Sequence, residues 1–120
     1  MGNFFTSLFS SSNNKENTEE TTQAKNEEKN FDILKYDGVR AHQMGKLGYA
    51  IKCYTEALAI KSDPETMNFL VTAYTAKGEI AKAEQVVNQL VDLDPTSAEY
   101  RLARVHILYT VYDNSLLTKS

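Results

Sequence analysis

The side chains best suited to catalysis are few and scattered in this sequence. His42 and His106 have no acidic or thiol residue at a spacing typical of a metal site. Cys53 is the single cysteine, and no motif around it would activate a thiol. The paired carboxylates Glu27 and Glu28 fall in a polar stretch where nothing can hold them in place. The sequence therefore predicts no catalytic residue, no metal site and no cofactor, and it favours a protein that is not an enzyme.

Charge and composition narrow the classes of partner. The 120 residues include 16 acidic and 13 basic side chains, for a net charge of −3 at pH 7. This balance argues against a nucleic-acid partner, because such binding depends on neutralising phosphates with a basic face. The sequence contains no run of about 18 apolar residues, and its first lysine, Lys15, comes too late for a secretory signal. We predict a cytoplasmic protein, with a membrane-peripheral location as the alternative.

The chain divides into a polar tail, a helical domain and a short end. Residues 10–30 read "SSSNNKENTEETTQAKNEEKN", with Ala24 as the one hydrophobic residue. Such a segment cannot bury enough surface to offset the entropy of ordering, about 1–2 kcal/mol per residue. We therefore predict a disordered N-terminal tail over residues 1–30 with an apolar tip, a helical domain over 31–112 and a flexible tail over 113–120.

Apolar residues at steps of three and four predict five helices and an all-α fold. The predicted helices cover about residues 31–45, 48–61, 64–76, 80–91 and 96–112. Gly45 and Gly78 are natural ends for the first and third helices. Asp63 or Ser62 can cap the third helix, with Pro64 in its first turn. Thr96 and Glu99 form a capping box that would open the fifth helix.

The sequence repeats with a shift of 33 residues. Gly45 falls on Gly78, and Leu34 falls on Met67 and Tyr100. In the second helices Ala50 falls on Ala83, Tyr54 on Val87 and Leu58 on Val91. A small residue shared at Ala50 and Ala83 is expected where two helices cross, because a larger side chain would hold them apart.

The segments "LKYDGVRAHQMGKLGYAIKCYTEAL" and "MNFLVTAYTAKGEIAKAEQVVNQLVDLDP" resemble the tetratricopeptide repeat. Val71 departs from the pattern, because it stands where the first unit has the packing glycine Gly38. The ankyrin repeat has a similar period, but its T-P-L-H signature is absent. The resemblance implies antiparallel helix-turn-helix units stacked as a short right-handed α-solenoid of about two and a half units.

The resemblance also implies a function, which is to bind another protein or peptide in a concave groove lined by the first helix of each unit. On the first helix of each unit, the positions next to the apolar residues that pack into the core would face this groove. These positions are Lys35, Tyr36, Val39, His42, Asn68, Phe69, Thr72, Thr75, Arg101, Leu102, Val105 and Leu108. Lys35, Asn68 and Arg101 would donate to a peptide carboxylate or backbone. For Phe69 and Leu102 the alternative is packing between successive units.

Two segments leave further alternatives open. The fifth helix is apolar nearly all round, which fits a longer array cut short or self-association through that helix better than a solvating cap. The N-terminal "MGNFFT" fits the pattern for myristoylation at Gly2. Residues 1–9 could instead dock unmodified on a membrane or a protein, or remain disordered.

Overall fold

Over residues 9–119 the backbone forms five α-helices joined by short turns. A computed structural model describes the backbone of residues 9–119 and the side chains of residues 22–113. The helices are α1 (Phe9–Gln43), α2 (Leu47–Ile60), α3 (Pro64–Lys77), α4 (Ile80–Leu93) and α5 (Ala98–Lys119). No strand forms between residues 9 and 119, and the predicted all-α helical-repeat fold is confirmed.

The turns after α1 and α3 are both built on a left-handed glycine. Gly45 has a φ of 78° and Gly78 a φ of 88°, a conformation that other residues rarely adopt. In the second turn the Gly78 N–H donates to the Thr75 carbonyl, and the Glu79 N–H donates to the Tyr74 carbonyl. In the first turn the Gly45 N–H donates to the His42 carbonyl, and the Lys46 N–H donates to the Ala41 carbonyl. In both turns these bonds satisfy carbonyls that the helix end would leave free, and both predicted helix ends are confirmed.

The turn between α2 and α3 also follows the prediction. Asp63 is the N-cap of α3, and its carboxylate accepts the Thr66 backbone N–H at 3.0 Å, with Pro64 at the first helical position. The same carboxylate accepts the Thr66 hydroxyl at 2.5 Å. Thr66 is fully buried, so Asp63 satisfies a hydroxyl that water cannot reach.

The predicted capping box at the start of α5 is wrong. The Tyr100 N–H donates to the Ser97 hydroxyl oxygen at 3.2 Å, which makes Ser97 the residue that caps this helix. The Thr96 hydroxyl instead donates to the Asp94 carboxylate at 2.6 Å. Because Asp94 holds Thr96 in the turn, the helix begins one residue later than the capping box requires.

Two apolar clusters hold the helices together in sequence order. The first joins α1, α2 and α3 through Ala41, Ala50, Tyr54, Leu70 and Ala73. The second joins α3, α4 and α5 through Met67, Val71, Ala83, Val87, Leu90 and Ile107. α3 contributes to both clusters and is therefore the helix that joins one unit to the next. Ala50 and Ala83 are both completely buried, as expected of small residues at helix crossings.

The two units fill the same crossing with different pairs of side chains. A Cβ atom added to Gly38 would lie 2.5 Å from Cε1 of the buried Tyr54, so the tyrosine ring occupies the space that the glycine leaves. In the second unit Val71 and Val87 replace this glycine and tyrosine, and both are buried in one cluster. The departure at Val71 is therefore explained by a compensating reduction in volume at Val87.

The ends of the chain are helical further out than predicted. α1 begins at Phe9 and α5 continues to Lys119, whereas the sequence predicts tails over 1–30 and 113–120. Among the side chains that the structure describes, those of residues 22–30 are all exposed, and Phe31 is the first that is buried. The Gln, Ala, Lys and Glu residues of this segment favour helix, and they extend the helix that packs from Phe31 onward. The predicted acylation at Gly2 lies outside the described residues, and so does the predicted docking through residues 1–9, of which only the backbone of Phe9 is described.

Candidate functional site

An open groove runs between α3 and α5. Its volume is about 840 Å³. The lining residues are Asn68, Val71, Thr72, Thr75, Ala76, Glu99, Leu102, Ala103, Val105, His106, Ile107 and Tyr109. Five of the predicted groove residues, Asn68, Thr72, Thr75, Leu102 and Val105, lie among them. The structure thus brings predicted positions from the second and third units to one surface.

The α3 side of the groove offers fewer hydrogen-bond donors than its two threonines would suggest. The Thr72 hydroxyl donates to the Asn68 carbonyl at 3.1 Å, and the Thr75 hydroxyl donates to the Val71 carbonyl at 2.8 Å. Both hydroxyl protons are thus used within the helix, which leaves the amide of Asn68 as the donor on this wall. The α5 side is mainly apolar, although Glu99 and His106 also line it. Leu102 is 70% exposed, so it does not pack between units.

A smaller pocket of about 260 Å³ lies between α1 and α3. It is lined by Val39, His42, Gln43, Tyr54 and Phe69, three of which were predicted. The ring centroid of Phe69 lies 5.9 Å from that of Tyr54, so Phe69 packs against the first unit while one side faces the pocket. The packing alternative therefore holds in part for Phe69.

Lys35 does not occupy the role that the sequence predicts. Its side chain is buried, with its Nζ atom 3.0 Å from Asp63 and 2.6 Å from Glu65. The same atom lies 5.8 Å from the centroid of Phe31 and 5.5 Å from that of Tyr36. Two carboxylates neutralise the ammonium group, so Lys35 is not a free donor to a peptide but an ion-pair link between α1 and α3.

The remaining predicted positions lie outside both cavities. Tyr36 is half-exposed beside Lys35, and Arg101 and Leu108 are exposed on α5 without lining either cavity. Sequence reasoning missed Tyr109 and His106 in the larger groove. Tyr109 follows Leu102 by seven residues, a spacing that places both on one side of a helix and could have identified it.

The ion pair of Lys35 and Asp63 shifts both pKa values. Burial opposes the charge of Asp63, but hydrogen bonds from Thr66 and Lys35 outweigh burial and lower the pKa below its ordinary 3.8. Burial likewise opposes the charge of Lys35, but hydrogen bonds to Glu65 and Asp63 raise its pKa above 10.5. The folded state therefore favours the charged form of both groups.

These shifts predict a loss of stability in acid. Because the pKa of Asp63 is lower in the folded state, its contribution is complete above pH 3.8 and disappears as the pH falls through the folded value. We expect the free energy of unfolding to fall less steeply below about pH 4 in Asp63→Asn than in the wild type. Urea denaturation across this range measures the slope. The exposed Asp92→Asn is the control, and an equal slope for all three proteins would contradict the prediction.

Two negative observations complete the site. Among the side chains of residues 22–113, no three His, Cys, Asp or Glu residues are grouped so that they could hold a metal ion. Across the part of the chain that the structure describes, no helix combines the length and apolar character needed to cross a bilayer.

Paired helices that stack by neighbour contacts, with a groove between the first helices of successive units, define a helical-repeat protein. A family model described as tetratricopeptide repeat matches residues 41–107, which is more than half of the chain. The chain belongs to the tetratricopeptide repeat family. Comparisons with curated proteins and with solved structures gave no match. Repeats of this family generally mediate protein–protein interaction and are generally non-catalytic.

Proposed function

We propose that this protein binds an apolar segment of another protein in the groove between α3 and α5. The observation that carries the proposal is the α5 wall, where Leu102, Val105 and Tyr109 are largely exposed within a single groove. Exposed apolar groups that line one concave surface are typical of binding sites. Binding would remove this surface from water, which stabilises the complex by about 25 cal/mol for each Å² of apolar area buried.

The polar groups of the groove indicate which segment fits. Asn68 is a donor that can anchor the backbone or a polar side chain of the ligand. Glu99, near the start of α5, lines the same groove and favours a basic residue at that end of the segment. We therefore infer that the partner presents a mainly apolar segment with a lysine or arginine at one end.

The smaller pocket between α1 and α3 extends this proposal. Its aromatic walls, Tyr54 and Phe69, suit a single apolar side chain beyond the main segment. Lys35 contributes no charge here, because Asp63 and Glu65 neutralise it. A partner held by a terminal carboxylate at this lysine is therefore not the one we propose.

The test uses a photo-crosslinking amino acid at Leu102 in the groove, with the same group at Ile33 on α1 as the control. Ile33 is exposed, at 48%, but does not line the groove. In a native lysate we expect a crosslinked partner from position 102 that is absent from position 33. Val105→Asp should reduce capture of that partner at least tenfold, since it places a charge on the apolar wall. Equal capture by wild type and Val105→Asp would overturn the proposal.

A further inference from the structure

The two walls of the groove between α3 and α5 are similar in length. The lining residues extend from Asn68 to Ala76 on α3 and from Glu99 to Tyr109 on α5. At a rise of about 1.5 Å per residue, these stretches are about 12 and 15 Å long. A segment that fills the groove therefore spans about 15 Å, which is about three turns of helix or five residues of extended chain.

The side chains along the groove offer few partners to an extended backbone. The hydroxyl protons of Thr72 and Thr75 are donated to carbonyls of α3 itself. On the other wall, Leu102 and Val105 have no polar side-chain atom. The carbonyls of an extended segment would thus find no donor among these four side chains, and a backbone group that loses water without gaining a partner costs free energy. Because a helix pairs its backbone groups within itself, the walls favour a helical occupant.

The apolar side chains of the α5 wall are spaced to pack along a helix. Leu102, Val105 and Tyr109 follow one another at steps of three and four residues and are largely exposed. A helix that lies along them contacts about one of these side chains in each turn. The occupant should therefore carry its own apolar residues at steps of three and four, as an amphipathic helix in a groove does.

The charge at one end of the groove indicates the direction of this helix. Asn68 and Glu99 lie in the first two turns of α3 and α5, where the helix dipoles are positive. The C-terminal end of a helix has free carbonyls, a negative dipole and a preference for lysine and arginine. The Asn68 amide can donate to such a carbonyl, and the Glu99 carboxylate can pair with such a basic residue.

We propose that the groove binds an amphipathic α-helix of the partner, antiparallel to α3 and α5, with a lysine or arginine of its last turn beside Glu99. This inference rests on the proposed function, because it names the conformation and direction of the segment bound there. Tyr109, at the other end of the groove, then faces the first turn of the bound helix. Its hydroxyl oxygen can accept one of the backbone N–H groups that the start of a helix leaves free.

Peptide display tests the helical conformation. A phage-displayed library of random peptides, each about 16 residues and so long enough for four turns, is selected on the immobilised full chain. We expect the selected peptides to share apolar residues at steps of three and four. A proline placed in the middle turn of a selected peptide should weaken its binding at least tenfold, because it breaks a helix. Apolar residues at alternate positions, equal binding by the proline peptide, or no selected peptide would overturn the helix.

The variant Val105→Asp separates a failure of this inference from a failure of the proposed function. Fluorescence polarisation compares the binding of each selected peptide to the wild type and to the variant, whose circular dichroism spectrum should be unchanged. We expect binding to the variant to be at least tenfold weaker. Peptides with an alternating pattern that fail to bind the variant would overturn the helix alone. Peptides that bind both proteins equally would overturn the groove itself.

A charge exchange tests the antiparallel direction. Glu99→Lys should weaken the binding of a selected peptide about fivefold, and a glutamate in place of the basic residue near the C-terminal end of the peptide should restore it. Glu56→Lys is the control with the same change in charge, since Glu56 is exposed on α2 and does not line the groove. Basic residues enriched at the N-terminal end of the selected peptides, or equal binding by the wild type and Glu99→Lys, would overturn the proposed direction.

Discussion

Replacing Gly38 with valine is expected to lower the free energy of unfolding by about 3 kcal/mol. The added Cβ would lie 2.5 Å from Cε1 and 2.7 Å from Cδ1 of Tyr54, and 3.2 Å from Cβ of Cys53. Tyr54 is buried and cannot move aside into solvent. The helices would therefore have to separate or the ring would have to leave its packing position. Urea denaturation followed by circular dichroism measures the loss.

A double-variant cycle gives this prediction its control. Tyr54→Val alone should also cost about 3 kcal/mol, because it leaves a cavity beside Gly38. The double variant Gly38→Val with Tyr54→Val copies the Val71 and Val87 pair of the second unit, and we expect it to be no less stable than either single variant. Gly48→Val is the matched single control, since nothing lies within 4 Å of a Cβ at Gly48. Additive losses in the double variant would contradict the interpretation.

Replacing Asp63 with alanine is expected to lower the free energy of unfolding by about 2–3 kcal/mol, because it removes three contacts at once. The carboxylate caps α3, satisfies the hydroxyl of the fully buried Thr66 and pairs with the buried Lys35. The cap alone is typically worth about 1 kcal/mol. The remainder comes from a buried hydroxyl and a buried ammonium that each lose a partner. Denaturant unfolding at pH 7 measures the effect.

Two variants separate these causes. Asp94→Ala also removes an aspartate that precedes a proline, but among the described residues its carboxylate bonds only to Thr96, in an exposed turn. We expect it to cost less than about 1 kcal/mol. Adding Lys35→Met to Asp63→Ala should recover part of the loss, because an apolar side chain of similar length needs no counter-ion. A double variant as unstable as the sum of both single variants would show that the ion pair is not the cause.

Most of the helical framework could be predicted from the sequence because its signals are local. Gly45 and Gly78 end helices through their own backbone conformation, and Asp63 caps α3 through residues three positions away. These features need no knowledge of the tertiary structure. The 33-residue repeat then predicted that the helices pair within units that stack in sequence order, because equivalent residues occupy equivalent positions in each unit.

The errors come from contacts between elements distant in sequence. Lys35 occupies a predicted groove position, but its ammonium group forms ion pairs with Asp63 and Glu65 of the next unit, which neutralise its charge. No local pattern reports this pairing. The extension of α1 to Phe9 was missed for a different reason, since the prediction rested on burial, and a helix that continues from a packed one needs little burial of its own.

The unequal pairs Gly38–Tyr54 and Val71–Val87 have a consequence for how the chain finds its fold. Repeat proteins carry similar helices, and a helix of one unit can associate with the wrong partner during folding. Here α1 placed on α4 would set Gly38 opposite Val87 and leave a void, whereas α3 placed on α2 in the same way would set Val71 against Tyr54 and overlap. Each first helix thus fits only its own second helix. The different side-chain volumes at the two crossings thus favour the native helix pairs over pairs formed between the two units.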